Sequence, residues 1–306
     1  FHATGCHSIL VGTYASGGKL VIMHKWNPEH ALELIERERV TSFGGVPAMV
    51  WQVLESADFA TRDTSSVLSI GYGGAPSAPD LVARIKQQFP KVEPSNGYGL
   101  TETSAITTQN LAEDYVAKPD SAGVAVPVCD IKVVDEKGNE LPRGQVGELW
   151  IRGPNVVKGY WNKPEATAAA ITEGAWFHSG DLVRVDDEGF VYILDRAKDM
   201  LIRGGENIYC VEVEDALYAH PAVMDAAVVA IPHKVLGEEV GAIVQVAPGK
   251  QVTEEELKAH VGKLLAGFKV PVKIELRHEP LPRNPNGKIL KTVLREDMKK
   301  YTKDAA

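Results

Sequence analysis

A threonine hydroxyl and a glutamate carboxylate stand side by side at Thr101-Glu102. Together they suit a phosphate and its Mg²⁺, a hard cation that takes oxygen ligands and keeps several waters. They lie in NGYGLTETS at 96–104. There Gly97 and Gly99 let backbone come close to a ligand, and Tyr98 offers a flat face to a purine. Read alone, the same nonamer is equally a glycine-rich turn with a solvated glutamate. Asp181, in HSGDL after Gly180, is expected to precede a strand, where one carboxylate can accept two hydroxyls; a turn-forming aspartate is the plainer reading. Arg196 in DRAK can share that ligand, or sit in a surface ion pair worth little. Lys288 follows Asn286-Gly287, an exposed-turn pair. Its ammonium is a compact point charge suited to neutralising negative charge as it develops. Lys291, Lys299 and Lys300 read as surface lysines. Gly73-Gly74-Ala75-Pro76 and Gly204-Gly205-Glu206-Asn207 are either backbone approaches to a ligand or ordinary tight connections.

These residues need a scaffold, and the pattern around them supplies one. Over 1–112 helix and strand alternate. Asn27-Pro28 opens a helix, a strand at 40–43 ends at Gly44-Gly45, and a second strand at 67–70 leads through a loop at 71–75 to a helix at 80–89. That alternation predicts a largely parallel sheet. From Asp130 the apolar period becomes two, with turns at 136–139 and 186–189, predicting a small antiparallel β-subdomain. Beyond Asp195 come a helix at 211–219, strands at 226–231 and 242–246, a Thr253/Glu256 capping box before an apolar helical stripe, and a last strand near 272–276. The fold class is therefore α/β: part of a large domain (1–115), its β-subdomain (116–196), and a compact α+β C-terminal domain (197–306), with the boundary at 196–199.

The composition narrows the function classes. With 33 basic and 41 acidic residues the formal charge is −8, which argues against electrostatic capture of nucleic acid. Cys6, Cys129 and Cys210 fit neither a disulfide framework nor a zinc site and read as buried thiols in a reducing cytosol. No apolar run approaches the roughly 18 to 20 residues of a membrane span, and the expectation is a cytoplasmic enzyme. His178, His220 and His260 read as packing or surface histidines, and no G-x-S-x-G supports a serine hydrolase.

Taken in order, NGYGLTETS, WFHSGDL, DRAKDMLIRGGENIY and PRNPNGKILK resemble the adenylate-forming acyl-CoA synthetases, the fatty-acid and aryl-acid CoA ligases, over nearly the whole chain. No S-G-T-T-G-x-P-K phosphate loop occurs, and Phe1-His2-Ala3-Thr4-Gly5 resembles the family's F-H-x-x-G segment, so the expectation is a C-terminal portion of such an enzyme. The resemblance implies a role for each candidate. Tyr98 and Gly99 would border adenine, Thr101 would bind phosphate, and Glu102 would hold the metal. Gly73, Gly74 and Ala75 would border adenine and the acyl group, while His2 would gate the acyl pocket or, at the chain's end, be merely frayed. Asp181 would take the ribose, with Arg196 on ribose or phosphate. Lys198 would be the hinge between two half-reactions, or else a solvated lysine. Gly204 and Gly205 would line the pantetheine channel, and Lys288 would be catalytic.

The implied reaction joins a small-molecule carboxylic acid to CoA through acyl-AMP, using ATP and Mg²⁺. The implied pocket segments (Phe43, Gly44, Gly45, Val46, Ile70, Gly71, Tyr72) are neutral, favouring a fatty acid over an amino acid or dicarboxylate, with aryl acids as the alternative. A carrier-loading adenylation domain, a luciferase-like oxygenase and a non-catalytic nucleotide- or acyl-binding fragment are the rivals. A sheet missing strands would expose an edge and an apolar face, making a homodimer one expected outcome.

Overall fold

The computed structural model describes residues 3–74, 80–284 and 288–302. The chain divides into two compact units, Phe1–Ser179 with Val183–Ile193, and Gly180–Leu182 with Leu194–Ala306.

In the first unit a short helix α1 (Gly12–Ala15) precedes α2 (Pro28–Glu38). Asn27 accepts the His30 N–H at 2.7 Å and Pro28 occupies the first turn, where its missing N–H is harmless. Ala31, Leu32, Leu34 and Ile35 bury the inner face. Strand β1 (Ser42–Gly45), α3 (Pro47–Glu55), β2 (Ser69–Gly73), α4 (Asp80–Gln88), β3 (Glu93–Tyr98), β4 (Thr108–Leu111), α5 (Ala112–Ala117) and β5 (Val124–Ala125) follow. Their sheet runs β1-β2-β3-β4-β5, with β1, β2 and β3 parallel and the pairs β3-β4 and β4-β5 antiparallel. Gly71 to Gly73 differ from the expected loop: they extend β2. Ladder pairing outweighs the glycines' low strand preference, and adjacent Ile70 and Tyr72 are buried. Ile70 and Tyr72 belong to a core with Val50, Leu54, Leu81 and Ile85, so neither lines a pocket as expected. Each such buried aliphatic contributes about 1.5–3 kcal/mol.

A second sheet, β6 (Asp130–Val134), β7 (Val146–Arg152), β8 (Phe177–Val185) and β9 (Val191–Arg196), is ordered β6-β7-β8-β9, with α6 (Pro164–Ala170) between β7 and β8. The division between the units falls within β8 and β9. Alternation along β7 and β8 buries Leu149, Ile151, Phe177 and Val183, and Tyr98 and Leu100 pack against that cluster. Both turns expected here form around an aspartate. Asp135 accepts the N–H groups of Lys137 and Asn139, and Asp186 those of Glu188 and Phe190.

The second unit holds β10 (Leu201–Arg203), β11 (Glu206–Ile208), α7 (Cys210–Tyr218), β12 (Val223–His233), β13 (Gly237–Val246), α8 (Glu254–Leu264), β14 (Lys273–Arg277) and α9 (Lys291–Met298). Its sheet is ordered β11-β10-β13-β12, with β14 beside β13. The capping box forms as read: Thr253 accepts the Glu256 N–H at 3.1 Å and Glu256 accepts the Thr253 N–H at 2.8 Å. Strands β12 and β13 run longer than their apolar stretches, because their pairing continues through Pro232-His233 to Gly237-Glu238. Cys129 and Cys210 are buried, whereas Cys6 is only half-buried, contrary to expectation. Among the described residues no helix is long and apolar enough to cross a membrane.

Candidate functional site

In the first unit the candidates sit where β2 and β3 end. Gly73 closes β2 beside Gly97, and Gly74 takes φ +75°, a backbone that favours glycine. Ala75 and His2 lie outside the described residues. The chain then leaves β3 at Tyr98 and folds back as a tight loop. Thr107 N–H reaches the Tyr98 carbonyl at 2.7 Å and Ala105 N–H the Leu100 carbonyl at 3.1 Å. Gly99 is required inside this loop: a Cβ there would stand 2.0 Å from the Ala105 carbonyl oxygen. Gly97 has only the Thr108 oxygen at 4.0 Å, so it alone keeps the open backbone read from sequence.

The segment after β7 fixes the loop. Asn155 donates to the carbonyls of Thr103 and Ile106, each at 3.1 Å, and Val157 N–H donates to the Glu102 carbonyl at 2.8 Å. Tyr160 donates its hydroxyl to the Glu102 carboxylate at 2.8 Å. Burial, and then the Glu102 charge, push the Tyr160 phenol up to about 12. Thr101 is exposed beside this pair. Sequence reading missed Tyr160, because a contact across 58 positions leaves no trace in a single sequence.

In the second unit Asp181 lies within β8, not ahead of a strand, and is 6% exposed. Gly180 before it has φ +70°. Arg196 Nε donates to Asp181 Oδ1 at 2.9 Å. Lys198 is exposed in the turn after β9, where the N–H groups of Asp199 and Met200 return to the Arg196 carbonyl. Gly204 and Gly205, with φ of +59° and +91°, are the two-residue turn of the β10-β11 hairpin. That geometry by itself requires glycine-like residues. Lys288 is exposed, its N–H held by Asn284 Oδ1 at 3.0 Å.

Two further groups hold this unit's framework. Asp195, 2% exposed, accepts the N–H of Cys210 at the start of α7 and of Arg196. Burial raises its carboxyl above the ordinary range, against that N–H. Its position at the end of an apolar strand was the available signal. Lys291 is a correction: far from being a surface lysine, it is 18% exposed and 2.7 Å from Glu214.

The model for "AMP-binding enzyme" matches residues 1–161, and that for "AMP-binding enzyme C-terminal domain" matches 212–288. The chain belongs to the AMP-binding enzyme family. Within it, this chain is 39% identical over 297 residues to a feruloyl-CoA synthase of an Amycolatopsis species, covering 96% of this chain and 59% of that protein. It is 38% identical to a long-chain-fatty-acid–CoA ligase of Bacillus subtilis, covering 97% of this chain and 52% of that one. The ATP-bound crystal structure of MatB from Rhodopseudomonas palustris superimposes with a TM-score of 0.89 at 34% identity, covering 98% of this chain and 59% of that one. The chain thus spans a little over half the length of these relatives. An α/β portion followed by a C-terminal domain, in an adenylate-forming acyl-CoA synthetase, is what the motif order implied.

Proposed function

We propose that this chain serves an AMP-forming acid–thiol ligase. A substrate carboxylate oxygen attacks the α-phosphorus of ATP, the bond to the β-phosphate bridge breaks, and pyrophosphate leaves. The CoA sulfur then attacks the acyl carbon, losing its proton, and AMP departs from the thioester. The observation that carries the reading is the buried Asp181 carboxylate met by Arg196 at 2.9 Å, inside a chain matched by both AMP-binding family models. A carboxylate held there is suited to accept ribose hydroxyls, and the guanidinium can share the ribose or phosphate. Tyr98 and Gly99 border the base, Thr101 donates to phosphate, and Lys288 neutralises the charge that develops at phosphorus. Gly204 and Gly205 present side-chain-free backbone to the pantetheine arm, and Lys198 is the hinge. Residues 1–115, 116–196 and 197–306 are the corresponding domains.

Among the described residues no group of three or more His, Cys, Asp and Glu side chains is placed to hold a metal. The partly exposed Glu102 carboxylate beside the Thr101 hydroxyl still fits Mg²⁺, which accepts one or two protein oxygens plus substrate phosphates and water. When bound, that ion would offset phosphate charge.

For the acid we propose an apolar tail, a fatty acid first. Toward the ends of β1, β2 and β3 one face carries Gly44, Gly71, Gly73, Ser95 and Gly97, without charge or bulk, while Glu93 on that face stands at the far end, where β3 begins. An aryl acid is the second reading, favoured by the 39% identity to a feruloyl-CoA synthase. A cytoplasmic location and a homodimer complete the proposal. The test uses this chain and the product of the whole open reading frame, each supplied with ATP, Mg²⁺, CoA and a panel of short, long and aromatic acids. Mass spectrometry scores acyl-AMP and acyl-CoA separately. The expected result is one acid class converted, and Lys288→Ala blocking acyl-AMP formation while sparing thioester formation from supplied acyl-AMP. No adenylate from the whole product, or adenylate formed undiminished by Lys288→Ala, overturns the proposal.

A further inference from the structure

Lys288 is exposed, but the chain on both sides of it is tied down. Ahead of it, Arg283 pairs with Asp225 of β12. That carboxylate is 6% exposed and also accepts the Tyr218 hydroxyl at 2.6 Å. Behind it, Lys291 at the start of α9 lies 2.7 Å from Glu214 of α7, and Glu214 also accepts the Val228 N–H at 2.7 Å. One turn further along α9, Arg295 meets Asp199 at 3.3 Å. The backbone adds two contacts: Asn284 N–H donates to the Lys288 carbonyl at 2.9 Å, and Leu290 N–H to the Pro282 carbonyl at 2.8 Å.

Buried ion pairs are a poor route to stability, since apolar residues of equal volume are often neutral or better. Here two ion pairs, each with a buried carboxylate, flank one exposed lysine and do something apolar packing does less well: they fix a position with directional, charge-assisted hydrogen bonds. We propose that Arg283–Asp225 and Lys291–Glu214 form a clamp that sets the position of Lys288, with Lys291 as its positioning residue. The inference rests on the role proposed above for Lys288. Burial works against the Lys291 charge, yet Glu214 beside it holds the ammonium above its ordinary value, while burial pushes the Glu214 carboxyl up against the pull of Lys291.

The experiment uses the product of the whole open reading frame. Lys291→Met/Glu214→Gln removes the charge pair while keeping shape, and Arg283→Gln/Asp225→Asn does so on the other side. Thermal melting, pyrophosphate release with acid and ATP, and thioester formation from synthetic acyl-AMP with CoA are measured for each. A displacement of about 1 Å can cost ~100-fold in rate. The clamp therefore predicts a folded protein whose pyrophosphate release falls on the order of 10- to 100-fold, while thioester formation stays within about twofold. Lys291→Arg, which keeps the charge, restores most of the loss. Pyrophosphate release within about twofold of the parent in a folded pair variant overturns the clamp, as does an equal fall in both half-reactions. Lys288→Ala separates the two levels. If it abolishes adenylate formation while the pair variants do not, only the clamp fails; if it leaves adenylate formation intact, the role of Lys288 fails first.

Discussion

Replacing Asp186 by asparagine removes one charge from the turn that joins β8 to β9. Asp186 accepts the Lys118 ammonium at 2.8 Å, the Phe190 N–H at 2.9 Å, the Glu188 N–H at 3.0 Å and the Tyr192 hydroxyl at 3.2 Å. Burial opposes its charge, yet Lys118 and these donors lower the carboxyl from 3.8 to about 2. Each factor of ten in that equilibrium is worth ~1.4 kcal/mol, so the ionised carboxylate stabilises the fold by on the order of 2 kcal/mol at neutral pH. The side chain is 20% exposed, and solvent screening removes part of this. Because the folded value is depressed, the contribution is full above the unfolded value near 3.8 and fades as pH falls toward 2. At pH 3 about half of it remains.

Asparagine keeps the shape and one acceptor but turns an N–H toward Lys118. The variant should therefore lose about 2 kcal/mol at pH 7 and about half as much at pH 3. Urea unfolding followed by tryptophan fluorescence reads this sheet, since Trp150 lies in β7 and Trp176 just before β8. A double-mutant cycle with Lys118→Met isolates the pair itself. A loss below about 0.5 kcal/mol at pH 7, or an equal loss at both pH values, refutes the reasoning.

Gly99→Ala puts a methyl group 2.0 Å from the Ala105 carbonyl oxygen, and neither backbone has a flexible end to move. It should destabilise the first unit by about 1–3 kcal/mol, read by urea unfolding, and depress adenylate formation more than its stability loss explains. Gly97→Ala, in open surroundings, is the control for the stability loss. Glu102→Gln should lower the Tyr160 phenol from about 12 while leaving it above 10, because burial is the larger cause. Ultraviolet titration of phenolate, with Tyr160→Phe to assign the signal, checks it. Gly205→Ala forces an alanine to φ +91° and should cost about 1 kcal/mol or more in the second unit, whereas Gly144→Ala, at φ +85° on an exposed turn, gives the cost of backbone strain away from the hairpin.

The local chemistry of this chain was legible from its sequence because it depends on neighbours within a few positions. The Asn27-Pro28 start of α2, the Thr253/Glu256 capping box and the aspartate-centred turns at 135 and 186 all form as their spacing implies. The approach of Arg196 to Asp181 comes instead from the pairing of β8 with β9. The order of the four motifs was enough to name the family. What tertiary structure alone decided are contacts made by residues far apart in sequence. Gly71 to Gly73 became strand because β1 and β3 flank them, overriding a local preference for a loop. Tyr160 reached Glu102 across 58 positions, and Lys291 left the surface because Glu214 waited on α7. A lysine's burial is set by its distant partners, and periodicity carries no information about a partner 77 residues away, the separation between 214 and 291.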